Sequence, residues 1–141
     1  MSIAKPISVD FAQRFGVAVS GELMMTMYPL MMSSDQKEIT EAKTEIWDIL
    51  SRIENILPGN GYFSKNGFSL VDAAFAPALM RLLMIRSLRE DSHWKSLPKA
   101  RRWADTVLAL PEVRESVVPN FKEKFMSFLK ERESPLVSEL S

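Results

Sequence analysis

The sequence predicts an all-α bundle of five or six helices. Apolar residues recur at steps of three and four over residues 36–57, and the stretch 68–85 is apolar for almost its whole length. Nowhere does apolar–polar alternation run between hairpin turns, as a sheet would require. At 141 residues the chain fits one domain, and a domain of that size buries roughly 70% of the surface its unfolded form exposes.

Residues 1–8 read as a leader or linker remnant ahead of a helical domain over 9–133. The first helix is expected over residues 9–32. It has no proline before Pro29 and is apolar on more than one side, with Asp10, Gln13, Arg14 and Glu22 as its polar interruptions. A bend near Pro29 is expected. In the second, over 36–57, Ile39, Ala42, Ile46, Ile49, Ile53, Ile56 and Leu57 form one apolar face. It stops where Pro58, Gly59, Asn60 and Gly61 follow, because proline disfavours helical geometry in its predecessor and glycine accepts left-handed angles. A turn-rich connection leads to the apolar helix over 68–85. Pro98 suits the first position of a helix reaching about Leu110, where Pro111 ends it. The last helix, from about Pro119 to Arg132, sets Phe121, Phe125, Phe128 and Leu129 on a docking stripe. Residues 134–141 read as a flexible tail.

Lys and Arg number 18 and Asp and Glu 18, so the formal charge is zero. That balance removes the general electrostatic case for nucleic acid or an anionic membrane as a partner. Basic residues outnumber acids locally, at Arg81, Arg86, Arg89, Lys95, Lys99, Arg101 and Arg102 against Glu90 and Asp91, which reads as a solvated helix surface. The absence of cysteine excludes disulfides, thiolate metal ligands and a cysteine nucleophile. The start, MSIAKPISVDF, lacks the features of a secretory signal, so a cytoplasmic location is expected. The stretch 68–85 is too short to span a membrane comfortably and is interrupted by Asp72, Pro77 and Arg81.

The carboxylate inside FSLVDAAFAPALMRLLMI needs a reason. Ser69 lies three residues before Asp72, and this S-x-x-D spacing lets each side chain accept from the other's backbone amide. A carboxylate there also meets the positive end of the helix dipole. No carboxylate or histidine nearby in sequence equips Asp72 as a catalytic acid. Ser69 and Asp72 are therefore assigned as a structural N-cap, and no catalytic residue is assigned anywhere in the chain.

The string GYFSKNGFSLVDAAFAPAL, followed by LPEVRESVVPNFKEKF, resembles the C-terminal helical domain of bacterial cytosolic glutathione transferases. The similarity runs over roughly residues 8–134. In that family a capped apolar helix forms the domain's spine, matching Ser69 and Asp72, and Pro77 also fits the pattern. The resemblance implies a domain that contributes part of a hydrophobic-substrate pocket and part of a dimer contact. The thioredoxin-like half that supplies most of the glutathione site has no counterpart here, nor does the Tyr, Ser or Cys that activates the thiol. This chain alone is thus expected to bind no cofactor and to be inactive. Glutathione would enter only with a thioredoxin-like half.

GELMMTMYPLMM, residues 21–32, holds five of the nine methionines. Thioethers can ligate Cu(I), but no Cys or His lies near, and methionine commonly fills irregular gaps and adaptable surfaces. No metal site is assigned. By the resemblance, this helix would face the thioredoxin-like domain and a dimer mate. Val17, Met24, Tyr28 and Met31 fall near one face and are the candidates for a hydrophobic pocket or interface. A homodimer or a thioredoxin-like partner is expected, with a hydrophobic small molecule as ligand. His93, the one histidine, lies in a polar loop where exposure is expected. A second reading is a stand-alone interaction module, since related helical domains in translation elongation factor and aminoacyl-tRNA synthetase complexes are similar to this one and serve for docking.

Overall fold

The computed structural model describes the backbone of residues 4–117 and 119–140 and the side chains of 14–117 and 119–140. Among these, seven α-helices follow one another: α1 (Ala4–Met32), α2 (Gln36–Glu54), α3 (Leu70–Met84), α4 (Arg86–Arg89), α5 (Pro98–Ala109), α6 (Pro111–Glu115) and α7 (Phe121–Glu131). Two 3-10 turns, Ser92–Ser96 and Pro135–Glu139, complete the described chain. Since α4 and α6 have only 4 and 5 residues, the bundle is built by the other five, and no strand lies among the described residues.

The helices start where local chemistry lets them. Asp35 caps α2, its Oδ1 accepting from the Lys37 amide at 3.0 Å. Pro98 opens α5, but the preceding Leu97 has no side chain that can cap. Glu54, at the end of α2, fills that role from a distance: its carboxylate accepts from the amides of Lys99 at 3.2 Å and Ala100 at 2.7 Å. A negative group at the positive end of α5 also gains from the helix dipole.

In the assembled bundle α1 packs on α2 and α3, and α3 also meets α5, which in turn touches α2. Leu23, Met27 and Leu30 of α1, Ile46, Ile49 and Leu50 of α2, and Phe75, Leu79 and Leu82 of α3 are completely buried. Burial of one such side chain is worth about 1.5–3 kcal/mol, so this seam supplies much of what orders the chain. The α1–α3 contact is close enough that Gly16 lies against Val71, and a Cβ on Gly16 would fall 2.6 Å from Val71 Cγ1.

Several expectations are corrected. The first helix begins at Ala4, so residues 4–8, assigned to a leader, belong to α1, while residues 1–3 lie outside the described chain. Helix α2 ends at Glu54, before Ile56, which is half exposed and leaves the apolar face assigned to it. Pro111 does not only stop a helix; it also starts α6. The segment 134–140, expected as a flexible tail, folds back onto α1. Ser134 and Leu136 are buried there, the Ser134 hydroxyl donates to the Met31 carbonyl, and Leu140 bridges to Ile85. The physical reason is that an apolar side chain, Leu136, is buried by this docking; Ser141 lies outside the described residues.

Candidate functional site

Asp72 sits in the first turn of α3 with no solvent exposure. Its Oδ2 accepts from the Ser69 amide at 2.8 Å and from the Ser69 hydroxyl at 3.2 Å. Its Oδ1 accepts from the Phe63 amide at 3.0 Å and the Trp103 indole at 2.8 Å. Ser69 has the extended backbone of an N-cap, and its side chain takes the Asp72 amide in return. Three of the four donors are backbone or ring N–H groups fixed in place and both carboxylate oxygens are occupied, so this is an architectural joint between the 58–69 loop, α3 and α5. Phe63, Phe75 and Trp103 close over it, with Phe75 and Trp103 edge to face at 4.9 Å.

A different place has the form of a ligand site. A groove of about 360 Å³ opens between the C-terminal half of α1, the last turn of α3 and one face of α7. Tyr28, Met31 and Met32 come from α1; Phe121, Phe125 and Phe128, with Lys124 between them, come from α7; Arg81 comes from α3. The spacing of the α7 aromatics at i, i+4 and i+7 puts them on one side, and Phe121 and Phe125 stack 5.8 Å apart. Mostly apolar walls with a few polar groups are usual for small-molecule sites, and the volume falls in their range.

Arg81 stands at the junction of two clefts. Its guanidinium lies 5.0 Å from the Phe121 ring centroid and 5.7 Å from that of Phe125, and one nitrogen donates to the Pro77 carbonyl at 2.9 Å. Burial pulls its pKa below the usual arginine value, which still leaves a permanent cation. On the far side of Arg81 and Phe121 a smaller cleft of about 270 Å³ is lined by Ala76, Pro77, Val113 and Val117.

The four residues singled out on α1 part company. Tyr28 and Met31 line the groove, Tyr28 largely exposed and Met31 buried at its floor. Val17 is exposed and Met24 half-buried, and neither lines the groove. Phe15, Val17, Met25 and Tyr28 are the exposed large apolar side chains of α1 among the described residues. His93 is exposed over more than half of its side chain and stacks on Trp47 at 4.8 Å, with Nδ1 2.6 Å from Asp91 Oδ1. Of the methionine-rich segment, Met27 and Met31 are core, Met24 and Met32 partly buried, and Met25 exposed.

Sequence reasoning missed Trp103 and Arg81. Nothing local marks Trp103 as the partner of Asp72, because 31 residues separate them. Arg81 did carry a signal: it is the one cation within the apolar run, and the aromatic stripe of α7 needed a place to dock.

No helix among the described residues is long and apolar enough to cross a membrane. Neither the curated proteins nor the solved structures give a match to this chain. A family profile described as "Glutathione S-transferase, C-terminal domain" matches residues 19–111. That span covers the C-terminal half of α1, all of α2 to α5 and the box at Ser69 and Asp72, and with the all-helical architecture it places the chain in the family of glutathione S-transferase C-terminal domains.

Proposed function

We propose that this chain is the helical half of a cytoplasmic glutathione-transferase-type protein, supplying a groove for a hydrophobic small molecule and an apolar surface on α1 for a second copy or a thioredoxin-like half. The observation that carries this reading is the groove itself, where Tyr28 and Met31 of α1 meet the aromatic face of α7. The exposed Val17 and Tyr28, eleven residues apart and therefore on one side of α1, support the α1 surface, because apolar side chains exposed on a shared face mark association sites.

The groove is a poor match for glutathione. No carboxylate is among its lining residues to receive the tripeptide's ammonium group. A thiol nucleophile also needs an activating group positioned on the reacting sulfur, and the Tyr28 hydroxyl in the lining belongs to a side chain that is mostly exposed. On this reading the chain alone conjugates nothing, and glutathione binds with the thioredoxin-like half.

The test uses the 141-residue chain. The neutral fluorophore N-phenyl-1-naphthylamine should brighten on binding, more weakly in Tyr28→Ala and Phe128→Ala. Glutathione conjugation to 1-chloro-2,4-dinitrobenzene should be absent. Conjugation by the chain alone would overturn the incomplete-half reading. Lack of fluorophore binding would overturn the groove and leave the interaction module, for which the α1 surface is the specific support.

A further inference from the structure

We propose that Asn66 is a site of spontaneous deamidation, left open by the fold while a second Asn–Gly pair beside it is protected, and that the isoaspartyl product loosens the loop ends held by Asp72.

The chain has four asparagines, and two of them, Asn60 and Asn66, precede glycine. Deamidation begins when the backbone nitrogen of the next residue attacks the asparagine Cγ. Glycine puts no side chain in the way of that approach, whereas Asn55 and Asn120 precede Ile56 and Phe121. The nitrogen gives up its proton to water or hydroxide, the new N–Cγ bond closes a succinimide, and the side-chain nitrogen leaves as ammonia. Water then opens the ring at either carbonyl carbon, giving aspartate or isoaspartate. One water is taken up and one ammonia released, with no oxidant and no cofactor.

The two pairs stand in opposite surroundings. Asn60 has its amide fastened: Nδ2 donates to the Ser64 carbonyl at 3.1 Å and the Lys65 carbonyl at 3.3 Å, and Oδ1 accepts from the Tyr62 amide at 3.0 Å. Gly61 is buried, and a Cβ there would fall 2.8 Å from Thr106 Oγ1, which leaves little room for a ring. Asn66 is exposed, and its side chain has no hydrogen-bond partner among the described residues. A Cβ on Gly67 would meet nothing within 4 Å. The attacking nitrogen is restrained by its bond to the Ser64 carbonyl at 3.2 Å, which closes an exposed turn. A lone turn bond at the surface opens readily.

Position gives the change its effect. The Phe63 amide donates to Oδ1 of Asp72 and the Ser69 amide to Oδ2, so residues 64–68 are a short span with both ends tied to one carboxylate. Isoaspartate at 66 adds a methylene to the main chain inside that span. It also adds a negative charge to a chain whose formal charge is zero.

The experiment incubates the 141-residue chain in mildly alkaline buffer, which favours loss of the amide proton, both natively and in urea. Trypsin cuts after Lys65 and so puts the two pairs on separate peptides, 53–65 and 66–81. Peptide 66–81 from the native chain should gain the mass of OH in place of NH2 and separate into aspartyl and isoaspartyl forms on chromatography. Asn60, read by fragmentation of 53–65, should change more slowly by about tenfold or more, the factor for one hydrogen bond that must break first. In urea the two should change at similar rates. Asn66→Gln, an exposed substitution whose longer side chain closes such a ring poorly, should leave 66–81 unaltered. In the isoaspartyl fraction of the folded chain, amide exchange at Phe63 and Ser69 should quicken by about tenfold. Asn66 stable in the native chain but labile in urea would overturn the proposal, because the turn bond would then protect it. Equal native rates at the two pairs, or both peptides stable even in urea, would overturn it as well. So would exchange at Phe63 and Ser69 that the modification leaves unchanged.

Discussion

The Trp103 indole N–H donates to Oδ1 of Asp72 over 2.8 Å, joining α5 to the first turn of α3. Each side explains the other: a buried indole needs an acceptor, and a carboxylate with no solvent exposure needs all its donors. Trp103→Phe keeps most of the ring and removes the donor. It should cost about 1–3 kcal/mol, the range for a buried polar group left one partner short. Asp72→Ala strands the Phe63 and Ser69 amides and the indole together and should cost more. The double variant should be less unstable than the two losses added, because both remove the same bond. Urea denaturation of the four chains measures this; strict additivity would mean the bond contributes nothing.

How much of this was written locally in the chain is clear from the same residues. The S-x-x-D spacing is a four-residue signal, so the box at Ser69 and Asp72 is legible from sequence. Trp103 is reached only through the fold. Helices α2, α5 and α7 follow from period and proline placement, whereas the span of α1 and the docking of 134–140 depend on tertiary contacts that no window of neighbours contains. The groove was half legible: Tyr28 and Met31 were picked from a helical face, and the α7 aromatics as a docking stripe. Arg81 joins them only because α3 passes between the two.

Gly16 should resist substitution for a reason of space. Alanine is the better helix former by about 1 kcal/mol, so in an open helix Gly16→Ala would stabilise. Here its Cβ would fall 2.6 and 2.9 Å from the two Val71 methyl carbons, and overpacking of this kind costs about 1–3 kcal/mol. Net destabilisation is expected, with partial rescue by Val71→Ala, which removes both methyls. Gly21→Ala is the control, since a Cβ there meets nothing within 4 Å. Thermal melts of these variants and of Val71→Ala alone would check the pattern, and a stabilised Gly16→Ala would show that α1 and α3 are less tightly apposed.

Asp91 gives the chain an acid-sensitive contact. Burial pushes its carboxyl up, but hydrogen bonds from the His93 amide and ring and the positive charges of His93 and Lys43 outweigh it, holding the pKa below the usual value. A depressed carboxyl stabilises the fold above its unfolded pKa, near 3.9, and the contribution is lost as pH falls through the lower folded value. Asp91 also caps the 92–96 turn through the His93 amide at 2.8 Å. Asp91→Asn keeps a side chain that can cap the turn but removes the charge, so it should lower stability by roughly 0.2–1 kcal/mol at neutral pH, the range for an exposed charged contact. The gap from the unaltered chain should close below about pH 4. Melting temperature against pH reads it, and a gap that stays constant into acid would rule out the charge as its source.

The last segment ties stability to the groove. Ser134 donates its hydroxyl to the Met31 carbonyl and accepts from the Leu136 amide at 3.2 Å, all of it buried. Met31 also forms the groove floor, so what fixes residues 134–140 fixes one wall of the ligand site. Ser134→Ala leaves a buried carbonyl and a buried amide each without this partner and should cost about 1–3 kcal/mol. Amide exchange at Leu136 should quicken, and fluorophore binding should weaken although Ser134 does not line the groove. Ending the chain after Glu133 should do more, because it also exposes the surface that Leu136 covers. A truncated chain that bound the fluorophore with unchanged affinity would show that the segment is a loose tail after all, and that α1, α3 and α7 hold the groove without it.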